Sequence, residues 1–373
     1  MTNKVDPDVP FDVPPLPPIQ SVESLDVLKK LAPAARSLSA LDQVSRLLPN
    51  QYLLVNLIPI LESQSSSQIE NIVTTTDELF KYVDDTAGAS GSVKETLRYK
   101  KALFIGLDII TGDNARPLTA NTAIEVCSSL TGVKGGVRKV SGTNLKNART
   151  GEVIYTPPVG EGVINHKLAN WDKYLHNNDV DPLIAMAVLH YQFEAIHPFL
   201  DGNGRTGRIM NILFLVEKEL LSKPVLYLSK FILENRDEYY AKLRAVTQDG
   251  DWEAWVSFML DAVKVTSQWT IEKVNAVVSL QADTVAYVKK VMPQEYSHEL
   301  IDALFQNPYI RVKNVLESNV VKSRQTGMKY LRALVEAGVL KEMAHGKEVL
   351  FIHERLLFLL THDVNDYEGF LDL

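Results

Sequence analysis

His197-Pro198-Phe199-Leu200-Asp201-Gly202-Asn203-Gly204-Arg205-Thr206-Gly207-Arg208 gathers an imidazole, a carboxylate, a Gly-Asn-Gly turn and two arginines into one short stretch. Upstream, Asp181-Pro182 reads as a helix start, with Asp181 at the N-cap and Pro182 at the first helical position. The apolar run continues to Ile196, and His197 precedes a proline, which pushes it out of the α region and ends the helix. Phe199 is the apolar residue that pins the following loop to the core, and Gly202 and Gly204 permit backbone conformations that other residues resist. A second helix, carrying the run Ile209–Leu215, is predicted to start near Arg205. Free N–H groups at such a helix start form an anion nest, and the helix dipole favours negative charge there. Arg205 and Arg208, three apart, suit phosphate oxygens. Asp201 stands just ahead of the nest, where it can hold Mg²⁺ against phosphates. His197, with an ordinary value of roughly 6.5, can take a proton near neutral pH. The combination suits a nucleoside triphosphate and a hydroxyl activated against it.

The stretch resembles the Fic family motif, His-x-Phe-x-(Asp/Glu)-Gly-Asn-Gly-Arg-x-x-Arg, and matches it at every defined position. The resemblance implies a mainly α fold: a Fic-type helical core with a β-hairpin flap. It implies transfer of AMP from ATP to Tyr, Thr or Ser hydroxyls of target proteins, and of the protein itself. By the same resemblance His197 is the base, Asp201 holds the Mg²⁺, and Gly202, Asn203, Gly204, Arg205, Thr206, Gly207 and Arg208 line the nucleotide. Doc-type relatives carry Lys where this chain has Gly204 and use the nucleotide as a phosphate donor, so Gly204 argues for AMP transfer. Neither route needs a covalent enzyme intermediate.

Ser65-Ser66-Ser67-Gln68-Ile69-Glu70-Asn71-Ile72 contains (Ser/Thr)-x-x-x-Glu-(Gly/Asn), counted from Ser66. It resembles the inhibitory helix of Fic proteins that carry their inhibitor N-terminal to the motif, which implies that Glu70 pairs with Arg208 and blocks the γ-phosphate position. Ser67-x-x-Glu70 is also a capping box opening a helix, and both readings stand together.

Two β-prone runs, Arg138–Leu145 and Glu152–Pro158, flank Ala148-Arg149-Thr150-Gly151 and read as a hairpin. Its place ahead of the motif resembles the Fic flap, which implies that its edge holds a target segment by strand addition. Downstream, Tyr227-Leu228-Ser229 and Asn235–Tyr240 resemble the adenine-side segment, with Tyr239 or Tyr240 against the base and Asn211 within reach of the nucleotide. His190, Glu194 and His197 have the spacing of a metal triad but no visible fourth ligand; Glu194 reads better as an orienting group.

The chain has 373 residues, enough for more than one core. Residues 1–20 are a proline-rich arm, and 21–120 a helical region carrying the inhibitory helix. Lys94–Leu103 in that region already resembles the start of the Fic core. Residues 121–285 form the catalytic core with its flap, and 286–373 a separate module. In that module Leu300–Leu304, Arg311–Leu316 and Ser323–Ala337 pattern as helices. Gly338–Lys341 and Lys347–Ile352 pattern as strands around His345-Gly346. The order resembles a winged helix-turn-helix, with Ser323–Ala337 in the recognition-helix place. Residues 309–347 carry eight Lys/Arg against three Asp/Glu, in a chain of net charge −7. That leaves DNA and protein open as partners of the module.

The single cysteine, Cys127, allows no intrachain disulfide. Prolines and charges fill the first twenty residues, and no apolar run reaches the roughly eighteen residues of a membrane span. The expectation is therefore a cytoplasmic protein with no membrane partner. A pI near 5.7 excludes a polyanion binder over the whole surface. The favoured reading is a self-inhibited protein adenylyltransferase using Mg²⁺ and ATP. A DNA-binding regulator with a nucleotide-sensing site is the alternative, as are AMP removal and transfer of another phosphate-linked group. Homodimerisation is compatible with the resemblance, and no pattern in the chain decides it.

Overall fold

The computed structural model describes residues 5–48, 52–140, 142–146, 150–346 and 348–370. The proline-rich lead-in is laid against the core. Asn170 holds both the N–H and the carbonyl of Leu16, at 2.7 and 3.0 Å, and Gln192 donates to the Pro14 carbonyl at 2.7 Å. Five helices follow: α1 (Leu25–Leu47), α2 (Tyr52–Ile69), α3 (Thr76–Tyr82), α4 (Gly91–Thr111) and α5 (Ala120–Thr131). Ser24, Thr75 and Ser90 cap α1, α3 and α4 with their side chains, which satisfies orphan N–H groups at each start.

The flap is smaller than its sequence suggests. β1 (Leu145–Lys146) pairs antiparallel with β2 (Val153–Tyr155), Leu145 lying opposite Tyr155 and Lys146 opposite Val153. Among the described residues, the strands do not extend over 138–144 or 156–158. Arg138 is buried and committed to backbone carbonyls, and Pro157 and Pro158 cannot donate to a ladder. Ser141, Ala148 and Arg149 of this predicted hairpin lie outside the described residues.

Three helices then build the centre: α6 (Glu161–His176), α7 (Pro182–Ile196) and α8 (Asn203–Glu217). The predicted bounds of α7 match. Asp181 accepts from Leu183 N–H at 2.8 Å, and Pro182 opens the helix. Both α7 and α8 are buried on nearly every side, as helices apolar all round must be. They pack on each other, and α4 and α5 pack on α8 while α6 and α11 pack on α7. Next come α9 (Leu228–Glu234), α10 (Arg236–Asp249) and the 40-residue α11 (Trp252–Val291), along which α1 lies. The boundary drawn at 285 falls inside α11, because its apolar face continues unbroken to Val288.

The last module comprises α12 (His298–Gln306), β3 (Tyr309–Ile310), α13 (Val312–Glu317), α14 (Arg324–Glu336), β4 (Lys341–His345), β5 (Glu348–Ile352) and α15 (Glu354–Thr361). Its sheet order is β3-β5-β4, all antiparallel. β4 starts at Lys341 rather than at Gly338. Gly338 turns at φ +70°, and the N–H groups of Val339 and Leu340 fold back onto the Leu334 carbonyl to finish α14. Lys347, within the predicted second strand, lies outside the described residues. The module sits on α3: Tyr309 donates to Asp77 at 2.5 Å, Asn307 to the Phe80 carbonyl at 3.2 Å and Arg311 to the Lys81 carbonyl at 3.2 Å. Among the described residues, no helix is long and apolar enough to cross a membrane.

Trp255 joins α11 to α7. It is fully buried, donates its indole N–H to the Ala187 carbonyl at 2.7 Å and stacks on His190 with ring centres 5.9 Å apart. Trp255→Ala is expected to cost about 3–5 kcal/mol of folding stability, read as a fall in the denaturant midpoint.

Candidate active site

The site begins where α7 stops. His197 takes up a left-handed backbone, φ 50° and ψ 60°, and its N–H still closes the last turn on the Phe193 carbonyl at 3.0 Å. Proline at 198 disfavours the right-handed alternative. The loop beyond is braced by Asn203, whose amide receives the Phe199 N–H and donates to the Phe199 carbonyl, both at 2.8 Å. That side chain is therefore spent on the loop, and Asn203 can offer a ligand only its backbone N–H. Gly202 sits at φ +80° and opens α8 two residues ahead of the expected start. The first intrahelical donor is Thr206 N–H, onto the Gly202 carbonyl at 2.9 Å. The N–H groups of Asn203, Gly204 and Arg205 are thereby left for an outside acceptor.

Asp201 stands at the edge of this nest with its side chain 72% exposed. One oxygen accepts the Gly202 N–H at 2.7 Å, and the other lies 3.5 Å from Arg205. Arg205 is buried and held mainly by Glu95 at 2.7 Å. Sequence reasoning misses Glu95, since nothing local marks a carboxylate 110 residues from its arginine.

Arg208 is 1% exposed. Its Nε donates to Ser66 Oγ and its Nη2 to the Ser66 carbonyl, both at 2.8 Å, while Nη2 also reaches Glu70 Oε1 at 2.9 Å. Burial works against its charge, but the Glu70 carboxylate outweighs it and holds the guanidinium protonated. The pairing inferred from the resemblance is thus present in the geometry. The capping-box reading of Ser67 and Glu70 is overturned, because these residues end α2 instead of starting a helix. Asn71 adopts φ +63°, and Ile72 N–H returns to the Ser67 carbonyl at 3.0 Å, which makes a left-handed helix stop. Each defined position of the segment is therefore accounted for locally. Ser66 and Glu70 bind Arg208, and Asn71 supplies a backbone that most residues resist.

The titratable groups behind Arg208 are shifted by burial. Burial pushes the His197 imidazole down to about 4, with the Arg138 charge acting in the same sense and the Glu194 backbone against it, so the ring is neutral at pH 7. Its Nδ1 is buried without a partner among the described residues. Burial lowers His190 further, to about 3, and its ring bonds the Tyr239 hydroxyl at 2.9 Å. Glu194 is raised to about 8 by burial, and its Oε1 is shut from solvent with no partner among the described residues. Among the described residues no cluster of three His, Cys, Asp or Glu could hold a metal, so His190, Glu194 and His197 make no triad.

The other predicted residues fall on both sides of the wall. The Thr206 side chain is fully buried, and Gly207 packs against His190 and Glu194. Asn211 is buried, and its amide nitrogen has no partner among the described residues. Tyr239 is 1% exposed among Trp255, Phe258 and His190, so it supports the wall and presents no face to a base. Tyr240, 40% exposed beneath the Arg236 guanidinium, is the one of the pair open to a ligand.

Comparisons with known proteins point to the family that the motif resembles. The Fic/DOC family model matches residues 117–215, its N-terminal companion residues 28–108, and the C-terminal domain model of SoFic-like protein adenylyltransferases residues 280–356. Residues 117–215 are therefore a Fic/DOC domain. Over 137 residues it is 28% identical to the protein adenylyltransferase Fic of Drosophila virilis, covering 36% of this chain and 27% of that one. Over 130 residues it is 30% identical to the protein adenylyltransferase fic-1 of Caenorhabditis briggsae, covering 34% and 24%. The match thus spans about a quarter of these relatives' length. A Fic family protein from Desulfovibrio desulfuricans shares the fold over 90% of this chain and 98% of its own, with a TM-score of 0.54 at 18% identity. A Fic domain containing signaling protein from Bacteroides thetaiotaomicron does so over 65% and 97%, with a TM-score of 0.52 at 16% identity.

Cys127 lies under the Fic loop, its thiol directed at the Asp201 carbonyl at 3.4 Å, and burial pushes it up to about 11. At pH 8 only about one thiol in a thousand is then ionised. The native protein is expected to show no thiol reactive toward a disulfide reagent, and one thiol after unfolding.

Proposed function

We propose that this protein is a Mg²⁺- and ATP-dependent protein adenylyltransferase restrained by its own Glu70. The observation that carries the reading is the convergence at one helix start: an open N–H nest, two buried arginines and a neutral imidazole. In the proposed reaction a target Tyr, Thr or Ser hydroxyl gives its proton to His197, and its oxygen attacks the α-phosphorus. The bond from that phosphorus to the bridging oxygen of the β-phosphate breaks, and pyrophosphate leaves. The nest and Arg205 stabilise charge on the phosphates, and Arg208 serves the γ-phosphate once Glu70 withdraws. The exposed Asp201 oxygen suits a hard divalent cation whose remaining ligands are phosphate and water. Mg²⁺ bound there would neutralise the α- and β-phosphate oxygens. Tyr240 is the candidate for the adenine side.

Gly204 gives the restraint its shape. A Cβ built there would collide with Glu70 Oε1, so a Lys at 204 and an inhibitory Glu70 could not share this space. A neutral base beside the nest favours transfer chemistry over a passive nucleotide sensor. DNA recognition is left out of the proposal. Of the eight basic residues between 309 and 347, Arg311, Lys313, Arg332 and Lys341 are already engaged within the chain, and the wing residue His345 packs on Tyr82. The proposal places the activity in the cytoplasm, where ATP is available.

The test incubates wild type, Glu70→Gly and Glu70→Gly/His197→Ala with Mg²⁺ and α-labelled ATP, reading intact mass. Expected are weak label on wild type, stronger label on the single variant and a loss of about 10²–10⁴-fold on the double. Equal or lower labelling of folded Glu70→Gly would overturn the restraint, and undiminished labelling of the double variant would overturn the base. With His197 held near 4, its neutral form dominates above that value. The rate should therefore rise through about pH 4 and show no limb near 6.5. Glu70→Gly leaves Arg208 without its nearest anion, so it should melt earlier than wild type without nucleotide and gain more from added ATP.

A further inference from the structure

Arg138 is 2% exposed and has no carboxylate partner among the described residues. Its Nε donates to the His197 carbonyl at 2.8 Å, and its Nη2 to the Ile196 carbonyl at 3.4 Å and to the Pro158 carbonyl. Its own N–H donates to the Pro198 carbonyl at 2.9 Å. These four acceptors belong to the end of α7, the motif loop and the chain leaving the flap. A buried cation without a counter-ion is costly, and the site tolerates it for an identifiable reason. The last carbonyls of α7 lack intrahelical donors and carry the negative end of the helix dipole.

We infer that Arg138 is the positioning residue for His197: it locks the left-handed backbone that aims the imidazole and ties that backbone to the base of the flap. Ring position follows from the backbone here, since among the described residues no side chain bonds the His197 Nδ1 and the backbone of Glu194 is what acts on the ring. The flap is fixed to the same helix end a second time, where the Tyr155 hydroxyl donates to the Ala195 carbonyl at 2.7 Å. Arg138 therefore joins the element proposed to hold the target to the element that takes its proton. Its charge also disfavours a protonated imidazole next to it. The groups facing His197 are Arg138 from the flap side, Asp201 from the loop, Glu194 from α7 and Glu70 from the end of α2.

The inference rests on His197 acting as the base, and its test separates the two. Arg138→Met and Arg138→Lys are made in the Glu70→Gly protein, alongside His197→Ala. Transfer rate, ATP affinity and the His197 titration by NMR are measured, the resonance being assigned by its loss in His197→Ala. For Arg138→Met the expectation is a rate lower by about 10–100-fold, unchanged ATP affinity and a His197 titration moved to higher pH. Arg138→Lys keeps the charge but cannot span three carbonyls. It should restore the titration while recovering only part of the rate. An unchanged rate in folded Arg138→Met, or equal losses of rate and ATP affinity with the titration unmoved, would overturn the inference. If Arg138→Met fails to fold, the split between rate and titration in Arg138→Lys decides. Full activity in His197→Ala would instead sink the base, and the titration shift alone would then decide for or against Arg138.

Discussion

A guanidinium buried to 1% exposure is costly unless hydrogen bonds and opposite charge compensate it, and much of this structure is arranged around that demand at Arg208. Ser66 takes two of its hydrogen bonds, yet a hydroxyl and a carbonyl carry no net charge. Glu70 supplies the charge. The same nest and the same arginine suit a polyphosphate, so in the proposed function carboxylate and phosphate compete for one positive pocket. Competition needs room, and two glycines provide it. A side chain at 204 would strike Glu70, and one at 207 would come within 2.6 Å of Glu194 Oε1. The motif glycines are thus explained as much by the carboxylates crowding Arg208 as by the turn.

Glu70 reaches Arg208 because α2 is held firmly on both sides of it. Within α2, the buried Glu62 accepts from Tyr99 of α4 at 3.0 Å and from Ser229 N–H of α9 at 2.8 Å. Ser65 bonds Tyr227 at 2.7 Å. Beyond the left-handed stop at Asn71, the chain enters α3, which the C-terminal module grips through Asn307, Tyr309 and Arg311. The short turn bearing Glu70 therefore hangs between two anchored helices. Its side chain remains 34% exposed, so the charge pair forms at the rim of the cleft and not in a sealed interior.

How much of this can be read from the chain depends on how local each signal is. The ends of α7 are legible because Asp181-Pro182 and His197-Pro198 act on their own backbone. The motif residues are legible as a group because a histidine, a carboxylate, a nest and two arginines seldom meet in one loop. Ser67-x-x-Glu70 misleads because the spacing of a capping box is also one helical turn, and only the position of Asn71 tells an end from a start. Tyr239 and Tyr240 are neighbours in sequence on opposite sides of a wall, and residue type cannot say which faces out. Arg138 and Glu95 are silent for a different reason. Their partners lie 59 and 110 residues away, a distance at which composition and periodicity carry no information.

The C-terminal module shows the same limit at the level of a domain. Its helices can be outlined from hydrophobic spacing, but β3 cannot, since a two-residue strand has no period to detect. Its positive charge, counted along the sequence, points outward to a polyanion. In three dimensions Arg311 faces Asp84 and Glu348, Lys341 faces Glu354 and Arg332 faces Glu342, so part of that charge is already neutralised within the chain. The module packs on α11 and α2, and it also holds α3, the helix that follows the Glu70 turn. Part of a basic stretch counted along the sequence thus serves, through Arg311 and Lys313, to hold the module to the segment after α3.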